Sequence, residues 1–469
     1  MIPEVMTMLL INPPFCTNLA DAITPPLGLG YIASYLRSRG FSCEILDCPA
    51  LRMGDPALRG FLARRGDCIV GISSSTPAIH SALRAAEIVK EVMPSAMVVL
   101  GGPHLTALPA ETLSAAPSVD VVVMGEGEFT MHDLAIRAGR PDSAIDDVGG
   151  VVYRAAGAIR RTEPRELIAD LDALPFPAFD MLPMGRYRPS IKWYYRTPIA
   201  TMITSRGCPF NCIFCDSHLT FGRKTRFRSP ANVIEEIRLL MRDFGVREIT
   251  FYDDTFTLNK ARVHEICDRM LAEGMDLTWG CLSRVDTLDR DLLGKMKKAG
   301  CHMLSFGVES GSETMLRRMR KGITPEESFR AIRLAREMGM DCNASIVLGI
   351  PGETVETMRE TLDFILRANP TYALFFRLVP FPGTELYEEY LRQNPSARNR
   401  FDTFADVTNA PLLTLDSITP RDFARMSRRM YLSFYLRPRK IGEYLRQITS
   451  PHRLKGYLRA LGTFLRVGS

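Results

Sequence analysis

Cys208, Cys212 and Cys215 stand in one short loop, SRGCPFNCIFCDSH, at the spacing C-x3-C-x2-C. Three thiolates are one fewer than a cubane 4Fe–4S cluster takes, so a cluster held this way keeps one iron open to a small-molecule ligand. A structural zinc site closes with four ligands, and His218 is the fourth candidate here. The tight triplet favours the cluster; zinc remains the alternative. His218 and the stretch Arg223–Arg228 just beyond the loop read equally as a cap over the site or as a solvated basic loop.

The elements that must carry this loop begin at Thr197. Strands are expected at Ile199–Thr204, Glu248–Tyr252, Leu277–Leu282, Met303–Val308, Ser345–Leu348 and Ala373–Val379. Helix-period segments fall between them at Ala231–Phe244, Lys260–Glu273, Asp289–Ala299, Pro325–Glu337 and Val355–Ala368. Six β/α units in succession imply an α/β fold of the TIM type, a partial (β/α)6 barrel over residues 196–386. Active sites of such barrels lie at the strand C-termini. There the sequence offers Asp253 and Asp254, then Ser283 and Arg284, then Glu309, Ser310 and Gly311, and finally Gly349 with the Pro351–Gly352 turn. An interstrand ion-pair network is the structural alternative for the aspartates and Arg284. Tyr252, Cys281 and Cys301 also lie near strand or helix ends; each is a candidate for relaying a proton or hydrogen atom, and core filling is the plainer reading.

The cysteine spacing, FYDDTF, CLSRVD, FGVESGS and SIVLGIPGET together resemble the radical S-adenosylmethionine (SAM) enzymes over residues of about 198 to 386. The resemblance implies that the open iron chelates SAM and that cleavage yields a 5′-deoxyadenosyl radical. By that likeness Asp253 and Asp254 lie near the methionyl amino group, and Glu309, followed by Ser310, takes the ribose hydroxyls as acceptor. Arg284 would pair with the SAM carboxylate. The turn at Gly349, Pro351 and Gly352 would bring backbone against the adenine, with Phe210 and Phe214 shielding the cluster.

Residues 1–150 alternate strands at Met8–Asn12, Ser42–Asp47, Cys68–Ser73, Met97–Gly101 and Val119–Met124 with helices such as Tyr31–Arg39 and Ile79–Val92. This implies right-handed βαβ units and a doubly wound, Rossmann-like parallel sheet that binds ligands at its strand C-termini. TPPLGLGYIASYL places Gly28 and Gly30 at the opening of the first helix, GISSST places Ser73, Ser74 and Ser75 at one strand end, VVLGGPH places Gly101, Gly102, Pro103 and His104 at the next, and VMGEGE places Gly125, Glu126 and Gly127 at the last. A G-x-G-x-x-G nicotinamide fingerprint does not fit. The pattern resembles the cobalamin-binding domain of the B12-dependent radical SAM enzymes, with Gly30, Ser73 and Gly101–Gly102 as anchors. At that register Pro25 and Leu27 occupy the positions of the aspartate and of the cobalt-ligating histidine, beside Pro26. The resemblance therefore implies cobalamin without a histidine from this loop, and leaves His104 as the alternative ligand. A plain substrate or docking domain is the other reading.

Residues 151–195 break the rhythm with a hairpin-like run and the proline-spaced LPFPAFDMLP, expected as a rigid connector. Residues 387–469 read as a small helical C-terminal domain. Its last part, 421–469, carries twelve Lys/Arg against Asp422 and Glu443, and Leu454, Leu458, Leu461 and Leu465 recur there at helical spacing. Such a segment either packs its leucines on the domain or lies on an anionic membrane surface. Over the whole 469 residues the net charge is +6 and the composition, 46% apolar and 24% charged, is that of a globular protein. No apolar run of membrane-spanning length and no signal-like N-terminus occurs, so the cytoplasm is the expected location. The eight scattered cysteines outside the loop (Cys16, Cys43, Cys48, Cys68, Cys267, Cys281, Cys301 and Cys342) fit reduced, buried thiols.

The joint resemblance to cobalamin-dependent radical SAM enzymes implies methylation of an unactivated carbon by way of methylcobalamin. Anaerobic oxidative cyclisation or another radical rearrangement is the alternative on the same architecture, and a non-catalytic corrinoid or iron–sulfur sensor is the alternative of another class. The expected partners are an electron donor of the flavodoxin or ferredoxin type and a small-molecule substrate, hydrophobic or ring-bearing if YALFFRLVPFPG and KWYYR line its site. No nucleic acid is expected.

Overall fold

A computed structural model describes residues 8–14, 23–66, 68–138, 145–155, 157–188, 194–397, 413 and 417–447. The N-terminal sheet contains β1 (Met8–Asn12), β2 (Cys43–Asp47), β3 (Ile69–Ser73), β4 (Met97–Gly101), β5 (Val121–Val123), β6 (Val151–Ala155) and β7 (Ala158–Arg161) in the order β2-β1-β3-β4-β5-β6-β7. The first five strands are parallel. They read as continuous apolar runs because both faces are covered. Leu10, Val99 and Val121 belong to the core shared with helices Leu27–Ser38 and Gly127–Ala138, while Leu9, Ile11, Val70 and Val98 join that of Asp55–Leu62 and Ile79–Val92. Strand order reverses between β1 and β3, the place where such sheets open a ligand crevice.

The hairpin expected after residue 150 forms as β6 and β7, and it extends the first sheet antiparallel to β5. The proline-spaced stretch is packed into the core rather than standing free. Ala178, Phe179 and Leu182 are buried, and the Ala178 amide donates to the Gly30 carbonyl at 3.0 Å. Ile168, Leu171 and Leu174 close over Tyr31 and Tyr35 of the first helix.

The second sheet holds β8 (Ile199–Met202), β11 (Glu248–Phe251), β12 (Thr278–Ser283), β13 (Cys301–Glu309), β14 (Asp341–Leu348) and β15 (Tyr372–Arg377). Its order, β15-β14-β13-β12-β11-β8, is fully parallel and open, the expected six-stranded partial barrel. Phe251, Trp279 and Phe306 fill the layer shared with the outer helices, and the Trp279 indole N–H finds the Ala299 carbonyl at 2.7 Å. Two short strands escape a periodicity argument: β9 (Ser205–Arg206) and β10 (Arg226–Phe227) pair antiparallel and frame the cysteine loop. The rim strand β15 is finished by a side chain. The Tyr435 hydroxyl, on helix Pro420–Tyr435, donates to the Ala373 carbonyl at 2.8 Å and accepts from the Ala373 amide at 3.3 Å. In the following helix Lys440 is fully buried, donates to the Pro370 carbonyl and to Glu443, and is pulled down to about 8 by burial. The leucine-spaced basic segment at 454–465 lies outside the described residues, as do Lys192 and Trp193 of KWYYR. Among the described residues no helix is long and apolar enough to cross a membrane.

Candidate active site

The cysteine loop leaves the barrel after β8, runs through β9, and returns along β10. Gly207 turns it at φ +95°, where an added Cβ would lie 2.7 Å from the Lys224 carbonyl oxygen; only glycine fits. Within the loop the Cys215 amide donates to the Cys212 carbonyl at 3.3 Å, and all three cysteines are partly exposed. Burial pushes their thiols up, Cys215 to about 12, so a metal must draw the protons off. Among the described residues no three His, Cys, Asp or Glu side chains are gathered closely enough for a single metal ion. A zinc ion with bonds of about 2.3 Å to sulfur would need its ligands nearly in contact, whereas a cubane spaces its thiolates around separate irons. Three free thiols in one loop fit a three-cysteine cluster.

The strand-top residues surround this loop, with varied employment. The Arg284 guanidinium lies 3.5 Å from the Phe210 ring centroid, grips Asp286 with two bonds of 3.0 and 2.9 Å, and donates to the Lys321 carbonyl at 3.0 Å. Glu309 ends β13 at φ +65° and accepts from Lys321 at 2.8 Å. A Cβ on Gly307 would lie 2.5 Å from the Glu309 carboxylate and 2.8 Å from the ammonium, so that glycine makes room for the pair. Against the larger effect of burial, Lys321 and Arg284 both favour the Cys212 thiolate. Asp254 accepts from Ser217, just past Cys215, at 2.9 Å. Asp253 is turned inward and accepts from the Thr204 amide and from the Thr204 and Ser205 hydroxyls at 2.7, 2.6 and 2.6 Å. It holds the root of the loop. Ser310 meets Thr361 at 2.9 Å and so faces an outer helix.

The Pro351–Gly352 turn has Gly352 at φ +84° against Arg318, and the Gly349 amide donates to Glu353. Burial pushes Glu353 up to about 7. Tyr252 is exposed at the rim, 38%. Cys281 and Cys301 are buried at 0% and 1% in the layer beneath the outer helices. Both fill the core there.

In the N-terminal sheet Gly28 and Gly125 stand in open space, and Ser75 is exposed. Gly102, at φ +114°, lets the β4 turn close on β3, where a Cβ would lie 2.4 Å from the Ser74 carbonyl oxygen. The Ser74 amide donates to the Gly101 carbonyl at 2.9 Å. Such a cradle of small residues suits a bulky ligand approached by backbone. Other predicted positions face inward. Gly30 is pressed against Pro177, Gly127 against Ile32, and Leu27 is buried. His104 is fully buried with Nδ1 3.3 Å from the Thr76 hydroxyl, and burial lowers it to about 4. Its ring belongs to the domain interior. Glu126 is committed to Arg206 and Arg226 of the barrel.

The two sites face one another. Helix Pro103–Ala107, at the end of β4, packs on Ser217–Phe221 after the last cysteine, and Ile213 and Phe214 join the apolar cluster of the N-terminal sheet. Sequence reasoning missed Lys321, Glu353, Arg206 and Glu128. Glu128, Arg206 and Glu353 stand in VMGEGE, SRGCPFNCIFCDSH and SIVLGIPGET, and Glu353 meets Gly349 four residues away, whereas Lys321 finds its partner only through the fold.

Residues 202–365 match the family model described as the radical SAM superfamily, and residues 17–135 match that of the B12 binding domain. The chain is 36% identical to an uncharacterized methyltransferase of Pyrococcus horikoshii, over 93% of this chain and 94% of that one. It is 32% identical to the anaerobic magnesium-protoporphyrin IX monomethyl ester cyclase of Rubrivivax gelatinosus, over 82% and 70%. The fold is similar to that of the radical S-adenosylmethionine methyltransferase TsrM from Kitasatospora setae with cobalamin and a 4Fe–4S cluster bound, with a TM-score of 0.69 at 22% identity over 83% of this chain and 75% of that one.

Proposed function

Because the chain belongs to the cobalamin-dependent radical SAM enzymes, whose members include methyltransferases and a cyclase, we propose that its own reaction is methylation of an unactivated carbon of a small molecule. One observation carries the reading: a loop of three free, partly exposed thiols facing a cradle of glycines and serines. When bound, the 4Fe–4S cluster supplies the electron that splits SAM, and the corrinoid serves as methyl carrier. Cys208, Cys212 and Cys215 hold the cluster. Arg284 and Lys321 offset the negative charge that gathers there. Asp254, Glu309 and the Gly349–Gly352 turn bind SAM, while Asp253 fixes the loop. Gly28, Ser73–Ser75, Gly101–Pro103 and Gly125 contact the corrinoid through backbone and hydroxyls, with Leu27 where a lower histidine would stand.

This assignment divides the chain at about residues 150, 195 and 386 into corrinoid domain, connector, barrel and C-terminal helices. The substrate is hydrophobic or ring-bearing, in keeping with exposed Tyr252 and with Phe376, 48% exposed on β15. A flavodoxin or ferredoxin reduces the cluster in the cytoplasm.

The test is anaerobic reconstitution of the full chain with iron, sulfide and hydroxocobalamin, followed by SAM and dithionite. 5′-Deoxyadenosine with S-adenosylhomocysteine is expected. 5′-Deoxyadenosine alone would assign cyclisation or rearrangement instead, and neither product would refute the proposal.

A further inference from the structure

The base of the cysteine loop is gripped from the opposite domain. We infer that Arg206 is a positioning residue: Glu126 and Glu128 of the N-terminal domain hold its guanidinium and thereby fix the cysteine loop against the domain it faces. The inference concerns the protein's own scaffold and stands apart from the choice of reaction.

Arg206 donates to Glu126 at 2.7 Å and to Glu128 at 2.6 Å. Arg226, its partner across the β9–β10 ladder, donates to Glu126 at 2.8 Å and to the Ile168 carbonyl at 2.5 Å. The Ile168 amide returns a bond to Glu126 at 2.7 Å. All four charged side chains are at most 8% exposed. Two cations and two anions leave the cluster without net charge, which is what makes its burial tolerable. Burial opposes the charge on Arg206, and Glu128 and Glu126 overcome that penalty, so its pKa is raised. The guanidinium also lies 5.1 Å from the Tyr31 ring centroid and 5.5 Å from that of Phe221. A planar fork can serve two carboxylates and two rings at once, and a lysine cannot.

The adjoining residues carry this grip to the cysteines. Thr204 and Ser205 are pinned by Asp253 from the barrel side. Gly207 is wedged against the carbonyls of Phe221, Gly222 and Lys224, and Cys208 follows, its amide donating to Gly222 at 3.3 Å. Residues 204–206 are therefore held from two domains immediately before the first cysteine. By contrast Arg37–Asp180, an ion pair between the first helix and the connector, has 48% and 58% exposed side chains and can do little.

The experiment takes full-length Arg206→Lys and Glu128→Gln, with Leu100→Ala in the N-terminal core as a control for general loosening. Each is reconstituted with iron and sulfide alone, so the corrinoid assignment does not enter. Hydrogen exchange is measured across the chain, together with the electron paramagnetic resonance spectrum of the reduced cluster. The two latch variants are expected to raise exchange in 207–225 by about tenfold, leave β3 and β4 protected, and alter the cluster spectrum. Leu100→Ala should loosen β3–β5 most and raise exchange in the loop, whose Ile213 and Phe214 join the same apolar cluster, by much less than the latch variants do. Unchanged loop exchange and spectrum in the latch variants, or an equal rise in Leu100→Ala, would overturn the inference. Glu128→Gln keeps the Glu126 contacts, so the test survives if Arg206→Lys does not fold.

Discussion

The N-terminal sheet and the barrel approach a ligand with different chemistry: the first with backbone, the second with side chains. Their helices show it. In the barrel the helices at 230–244, 260–272, 290–298, 325–337 and 355–368 are capped by the side chains of Ser229, Asn259, Asp289, Thr324 and Thr354. In the N-terminal domain the helices at 27–38, 55–62 and 79–92 follow Pro26, Gly54 and Ala78, with no side-chain cap. Barrel helices thus satisfy their own first N–H groups, and the site is made by charged residues and thiols above them. The N-terminal domain keeps the ends of β3 and β4 small and bare, while at the end of β2 Asp47 caps the short helix Cys48–Leu51. A site built from side chains fails by truncation; a site built from backbone fails by addition.

Three experiments sharpen that contrast. The largest effect is expected from Cys208→Ala, which should reduce bound iron from about four per chain to a small remnant and abolish SAM cleavage. Hydroxocobalamin binding, followed by its visible spectrum, should persist; loss of both would erase the distinction between the two regions. Next comes Glu353. Burial raises its folded pKa from 4.5 to about 7, so between those values the folded chain holds a proton that the unfolded chain has released. Stability then falls as pH rises through that window and levels off above it, by on the order of 3 kcal/mol. Urea midpoints of wild type and Glu353→Gln at pH 5 and 8 should differ by that loss, with the variant the flatter of the two. The smallest effect is from Gly102→Ala. Its φ of +114° and the Ser74 carbonyl predict a loss of about 1–3 kcal/mol in thermal unfolding. Corrinoid binding should weaken with it, while Ser75→Ala, which subtracts atoms, should leave binding nearly intact.

Much of the fold was legible because its signals are local. Four apolar residues running into a turn gave β1 and β4 to the residue, and the 3.6 period gave Ile79–Val92, Pro325–Glu337 and Val355–Ala368. The cysteine loop was legible for the same reason, its ligands being neighbours in the chain. What stayed hidden depends on distant partners. VMGEGE reads as a ligand turn, but Glu126 meets arginines 80 and 100 residues away. Gly30 looks like a cofactor glycine, yet the connector at Pro177 takes its space. Lys321 lies in an unremarked MRKG turn and becomes visible only when β13 brings Glu309 beside it. His104 carries no mark in sequence of its complete burial.

An unfinished barrel has two rims, and a bare rim is a template on which another chain can zip itself. Tyr435 turns this hazard into a matter of one phenol: by occupying both the amide and the carbonyl of Ala373 it denies an incoming strand its first rung. The helix that bears it therefore covers this edge strand at Ala373, where bare backbone would otherwise invite pairing.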